Sequence, residues 1–411
     1  MASKSKVMSG GSQTALRSAN QQRVIDELSR RGTLTQADIA RSTGLAASTV
    51  SNIVSDLCRQ GIVERKTGVA GPHGQLLSLV PSAGNALGIE VGRRHLTFAL
   101  ADLAHNVIAT KRIAFTRVGG WNQEMEAISA QIDLFLAEHS IKRETILVTG
   151  LALPAPLDLA GRRISATDVM PEWANIDIVD KASGILGMPV VADNDANLGA
   201  VGEHTWGAAR GTDDLVYLKL ADGIGAGLVL DGRLYRGADG SAGEVGHTTI
   251  DESGQMCQCG NRGCLETVAA VPAILKLMRP VMGKDVTVHD VIDGAKNGNA
   301  ACIRILEDTG RVAGIALANL ANIVNPRIVV VGGVLSEAGS ILIDPLSTAL
   351  SRYAVQGVAA ELQFRPAELG LYSHVLGAVD LALSHAPAVF VGAGSEGAEA
   401  EKKGEGAGGE D

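Results

Sequence analysis

The sequence predicts an α/β protein with a winged helix-turn-helix at its N-terminal end, on three observations. Helical periodicity, a glycine turn and a short basic hairpin follow one another over residues 21–80. Strand-like and helix-like runs then alternate from Ala86 to Val331, the pattern of an α/β body. A composition of 46% hydrophobic and 20% charged residues with 50 glycines excludes a fibre or a wholly disordered chain. At 411 residues the chain exceeds what one hydrophobic core usually serves, so two or three domains are expected.

Residues 1–20 are polar and Ser/Gly-rich, without apolar period, and read as a flexible leader. From Gln21, Val24, Ile25 and Leu28 mark one face of a helix that Gly32 ends. Thr35 caps a second short helix over residues 35–42, with Ile39 and Ala40 facing inward. Thr43-Gly44-Leu45 makes a tight turn. A third helix over residues 47–60 places Val50, Ile53, Val54 and Leu57 on one face and stops at Gly61. Two helices joined by so short a glycine turn form a helix-turn-helix, whose second helix enters the DNA major groove. Residues 62–66 and 75–80 read as strands around a wing loop, residues 68–74.

The outer face of the third helix presents Ser48, Thr49, Ser51, Asn52 and Ser55, and Arg65 lies on the first wing strand. Small hydrogen-bonding groups and a cation suit base edges and phosphates. Residues 1–80 hold ten Lys/Arg and five Asp/Glu, a net of +5 that leaves -14 for the rest of a chain of net charge -9. A basic head on an acidic body fits a double-stranded DNA partner for the head alone.

In the body, residues 88–91, 96–101 and 107–110 read as a strand meander, 125–139 as a helix, and 146–153 as a buried strand. A helix over residues 176–186 leads to a strand at 190–192. Residues 388–411 dissolve into Gly, Ala and Glu, an acidic tail expected to be disordered. No apolar run reaches the roughly 18 residues of a membrane span, and no charged-then-apolar secretion signal opens the chain. A cytoplasmic location without membrane partners is expected. Three of the five cysteines fall within eight residues, which in a reducing compartment favours a metal site over disulfides.

The strongest chemical signal is His247 followed by Cys257, Cys259 and Cys264. Thiolates separated by one and four residues, glycines to bend the loop, and a histidine upstream supply four ligands for tetrahedral Zn²⁺. With every position filled by protein, the zinc is structural, one per chain.

Asn194-Asp195-Ala196-Asn197, the stretch from Gly232 to Gly237, Ala242-Gly243-Glu244-Val245-Gly246-His247, the cysteine cluster, and Asn325-Pro326 before Gly332-Gly333 together resemble the ROK group of sugar repressors and sugar kinases. The resemblance covers about residues 20 to 385. A winged helix ahead of these motifs looks like the repressor branch, similar to its N-acetylglucosamine- and xylose-type members, because the family's kinases lack that module. The resemblance implies a two-lobed, actin-like (ribonuclease H-like) sugar-kinase fold over residues 86–385, serving effector binding and oligomerisation. It also implies that Asn194, Asp195, Glu244, His247 and Glu266 bond sugar hydroxyls. A polyol needs such converging donors and acceptors. His247 would turn one ring nitrogen to zinc and the other to the sugar.

In a kinase of the family Asp195 would be the general base. The phosphate loops depart from that role. The family's Asp-x-Gly segment with following Thr and Lys is here Glu90-Val91-Gly92-Arg93-Arg94-His95, and Asp222 holds the threonine place before Gly223-Ile224-Gly225-Ala226-Gly227. A like charge at ~4 Å costs on the order of 4 kcal/mol at an effective dielectric near 20, so Asp222 opposes ATP unless Mg²⁺ or Arg93 offsets it. The family's Pro-Gly-Pro becomes Pro154-Ala155-Pro156, and the wing arginine gives way to Gly71-Pro72-His73-Gly74. The reading is therefore a homodimeric or homotetrameric repressor released by a sugar or sugar phosphate, with no catalytic residue and no ATP requirement. Its competitor is an ATP-dependent sugar kinase that retains a DNA-binding domain.

Overall fold

The computed structural model describes residues 13–66, 75–117, 119–158, 162–164, 170–174 and 176–386. The wing loop and the acidic tail lie outside the described residues.

The N-terminal unit comprises α1 (Gln13–Arg31), β1 (Leu34–Thr35), α2 (Gln36–Thr43), α3 (Ala47–Arg59), β2 (Val63–Arg65) and β3 (Leu76–Leu79). Helix α1 starts at Gln13, which corrects the leader expected over residues 1–20. Leu16 there is 63% exposed and Arg17 and Ala19 are exposed as well, so these residues give no buried apolar period. Arg17 pairs there with Asp56 of α3. Thr35 caps α2 in a reciprocal box with Asp38, and Gly44 turns the chain at φ +69°. The strands form a three-stranded sheet in the order β1-β3-β2.

The first lobe of the body holds β4 (Asn85–Val91), β5 (His95–Asp102), β6 (Val107–Ala114), α4 (Trp121–Glu138), β7 (Ile146–Leu153), the small pair β8 (Leu157–Asp158) and β9 (Arg163–Ile164), α5 (Ile178–Leu186) and β10 (Val190–Asn194). The second holds α6 (Asp195–Thr205), β11 (Leu215–Leu220), β12 (Ile224–Leu230), β13 (Arg233–Tyr235), α7 (Glu266–Ala269), α8 (Val271–Met282), α9 (Val288–Lys296), α10 (Ala300–Val324), β14 (Ile328–Gly332), α11 (Ser340–Tyr353), α12 (Gln356–Glu361) and β15 (Gln363–Pro366). The sheet orders are β10-β7-β4-β5-β6 and β13-β12-β11-β14-β15. In each, the first strand of the lobe is central, with an antiparallel meander on one side and parallel strands on the other. The lobes thus repeat one topology, the two-lobed actin-like arrangement.

A last helix, α13 (residues 373–386), returns to the first lobe. Its backbone packs without an intervening side chain: a Cβ on Gly377 would meet the Leu198 carbonyl of α6 at 1.7 Å, and one on Gly150 of β7 the Ala378 carbonyl at 2.0 Å. Its other face, with Val375, Leu376, Val379 and Leu383, shares one core with Val24, Ile25, Leu77 and Leu79 of the winged helix. Gln22 Nε2 donates to the Ser384 carbonyl across that junction (2.8 Å). Among the described residues no helix is long and apolar enough to cross a membrane.

Candidate functional site

Between the lobes lies a cleft of about 510 Å³, lined from the first lobe by Glu90, Arg93, Arg94, His95, Arg112, Pro154 and Pro156, and from the second by Asp195, Lys219, Asp222, Glu244, His247 and Glu266. Asn194 joins them where β10 turns into α6. Its Oδ1 accepts the N–H groups of Ala196 (2.9 Å) and Asn197 (3.2 Å), which satisfies two otherwise unpaired amides of the helix and leaves the amide NH₂ as its donor. Asp195 follows at the first helical position, 5% exposed, and pairs with Lys219 of β11. Beneath them Asp193 accepts from Arg236 Nε (2.7 Å) and Asn197 Nδ2 (3.0 Å).

On the opposite wall Glu244 Oε2 lies 3.7 Å from His247 Nε2. Burial raises the Glu244 pKa, and the nearby His247 offsets only part of that rise. Glu266 accepts the Ile224 N–H of the glycine loop (3.1 Å) and Gln258 Nε2 of the cysteine loop (3.2 Å). It ties the two loops together at the cleft's edge. The structure thus brings Asn194, Asp195, Glu244, His247 and Glu266 into one cavity.

The other nitrogen of His247, Nδ1, faces Cys257 Sγ at 3.6 Å, and Cys259 and Cys264 sulfurs are 3.7 Å apart. All four ligand atoms lie within 4.8 Å of one another. Tetrahedral zinc with Zn–S of ~2.3 Å places sulfurs about 3.8 Å apart, so the donor set and its spacing fit a divalent metal. The loop is closed by Cys257 N–H donating to the Asn261 carbonyl (2.7 Å) and by Gly260 at φ +90°. Burial and the two neighbouring thiols push Cys264 up to about 12. Three thiolates this close need a cation to coexist.

On the phosphate side, the residue that pairs with Asp222 is Arg94 (3.4 Å) and not the anticipated Arg93. Glu90, buried in β4, accepts from Thr97 Oγ1 (2.7 Å) and from His374 Nδ1–H of α13 (2.9 Å). His95 Nε2 lies 3.4 Å and Arg112 Nη1 3.7 Å from the same carboxylate. Although burial pushes the Glu90 pKa up, His374 and His95 hold it well below the usual carboxylate range. Sequence reasoning missed Lys219 and His374. A signal for Lys219 existed, since a lone lysine interrupts the apolar run Leu215-Val216-Tyr217-Leu218 and Leu220.

Far along the chain from the cleft residues, α3 buries Val50, Ile53, Val54 and Leu57. Ser48, Asn52 and Arg65 are exposed, while Thr49, Ser51 and Ser55 are half-buried. Its N-cap, Ala46, has no side chain with which to satisfy the first amides, which stay available to an external acceptor.

Fold and site together define a class: a two-lobed, sugar-kinase-like body with a polar cleft, fused to a winged helix-turn-helix. Residues 86–385 match the ROK family, and residues 18–71 match the MarR family. The chain belongs to the ROK family. A xylose repressor of Bacillus spizizenii is 27% identical over 91% of this chain and 97% of its own length. A glucokinase of Halalkalibacterium halodurans is 30% identical over 71% of this chain and 92% of its own. Among solved structures, a ROK family transcriptional regulator described as a homologue of the Escherichia coli MLC protein superposes with TM-score 0.76 at 24% identity, covering 92% of this chain and 98% of that one.

Proposed function

We propose that this protein is a sugar-responsive, DNA-binding transcription repressor. The carrying observation is that a winged helix with a polar outward face on α3 shares a continuous core, through α13, with a body whose cleft gathers acceptors and donors suited to a polyol. The repressor named for xylose spans both units, whereas the glucokinase spans a share no larger than the body requires.

In this reading Asn194, Asp195, Glu244, His247 and Glu266 bond the hydroxyls of a sugar or sugar phosphate. Ser48, Thr49, Ser51, Asn52, Ser55 and Arg65 face operator DNA. His247, Cys257, Cys259 and Cys264 hold one zinc ion, which pins the His247 ring and the cysteine loop and takes no part in reaction chemistry. The protein acts as a homodimer or homotetramer, because two recognition helices must match half-sites about one helical turn, 34–36 Å, or a multiple apart. A hundredfold release from DNA corresponds to about 2.7 kcal/mol of coupling, within reach of a small lobe rotation.

The kinase reading is disfavoured by Asp222 in the phosphate loop and by Lys219 held against Asp195. The test pairs a thermal-shift screen of sugars and sugar phosphates with footprinting upstream of sugar-utilisation genes. A stabilising sugar that weakens protection at a palindromic site is expected. No protected site with any sugar or without one would end the reading, as would robust ADP release that Asp195→Asn abolishes.

A further inference from the structure

Helix α13, which shares a core with the winged helix, reaches the cleft with one side chain. His374 lines the cleft yet is only 3% exposed. Its Nδ1–H donates to Glu90 of β4 in the first lobe (2.9 Å), and its Nε2 pairs with the Tyr217 hydroxyl of β11 in the second (3.1 Å). The imidazole is rigid, so it keeps both bonds only at one separation of the lobes. If the lobes rotate, one buried polar group must lose its partner or α13 must move.

The helix is also tied to α6, so a shift of α6 carries its start along. Glu203 of α6 is fully buried and holds its entry: it accepts from Ser373 Oγ (2.7 Å) and from the N–H groups of Leu369 (3.0 Å) and Glu368 (3.1 Å). The same α6 begins at Asp195 in the cleft. Downstream, α13 supplies Val375, Val379 and Leu383 to the core that contains Val24, Ile25 and Leu77 of the winged helix. A close-packed core transmits such a shift instead of absorbing it.

We propose that His374 is the positioning residue through which occupancy of the cleft reaches the DNA-reading unit, a regulation that rests on the sugar-responsive reading above. His374 touches both lobes and belongs to the helix on which the winged helix is built.

The test uses full-length protein and hydrogen exchange measured on peptides of α1, α3 and β3. A first arm needs no sugar. Glu90→Gln is expected to speed exchange in α1 and β3 by about fivefold, and the same change in a His374→Ala background to add less than about twofold. Additive effects in that cycle would overturn the proposal. A second arm adds D-xylose, D-glucose or N-acetylglucosamine. A sugar that raises Tm is expected to alter exchange in α3 of the wild type. In Tyr217→Phe and His374→Ala the Tm shift remains but the α3 response disappears, and His374→Gln restores part of it. An undiminished α3 response in both variants overturns the proposal. Failure of every sugar to raise Tm counts against the sugar reading instead, and the first arm still decides the role of His374.

Discussion

Two buried charges show how single residues set this protein's limits. Lys219 and Asp195 are each at most 9% exposed and face one another. Removing one member of a buried pair typically costs 3–5 kcal/mol, because the other charge is left uncompensated. Lys219→Met is therefore expected to lower unfolding stability by about that range in urea titration, and Lys219→Met combined with Asp195→Asn to recover much of it. His105 gives a pH signature. Burial, only partly opposed by Asp102, lowers its pKa from 6.5 to about 4. Stability from this residue is fully present above 6.5 and is lost as pH falls toward 4, because the unfolded chain binds a proton that the folded chain refuses. The ceiling is about 3 kcal/mol at 1.36 kcal/mol per unit. His105→Asn, which tolerates the residue's φ of +61°, is expected to lose less stability than wild type between about pH 7 and about pH 5. Equal losses would remove His105 as the source.

The cysteine loop is short, has little core of its own, and gathers four ligand atoms within 4.8 Å of one another, a set that could hold a metal ion. Cys257→Ser is expected to lose bound zinc and melt several kcal/mol less stably, since binding energy of a structural zinc is folding energy; metal analysis of the purified variant checks it. An unchanged melt together with no zinc in the wild type would sink the assignment. Helix α13 depends on small residues for its seat. Gly377→Ala places a methyl 1.7 Å from the Leu198 carbonyl, and backbone cannot retreat as a side chain can. A loss of about 3 kcal/mol or more is expected, read as a lower urea midpoint.

How much was legible differs by element. The capping box of α2, the glycine turn, and the buried stripe of α3 follow from local rules, and their residues announce them. The start of α1 was missed because Leu16, Arg17 and Ala19 are exposed, so helicity there leaves no buried apolar period. The packing role of α13 was missed because its three alanines and single glycine, Gly377, read as undistinguished sequence until their neighbours are known.

At the scale of the whole molecule, the charge asymmetry between a basic head and an acidic body matches the division between the winged helix and the two lobes. The repetition of one sheet order in both lobes was invisible in sequence, because topology constrains which strands pair and not which residues compose them. That repetition creates the cleft, since two like halves packed through α6 and α13 leave their strand ends facing one another.

The sequence by itself determined the ingredients: a helix-turn-helix, a histidine and three cysteines at metal-ligand spacing, and the polar residues that resemble a sugar site. These are short-range patterns, written in the spacing of a few neighbours. Only the tertiary structure decided that Lys219 meets Asp195, that Arg94 and not Arg93 answers Asp222, and that His374 joins Glu90 to Tyr217. Such pairs span tens to hundreds of positions, and close packing, not local preference, selects them.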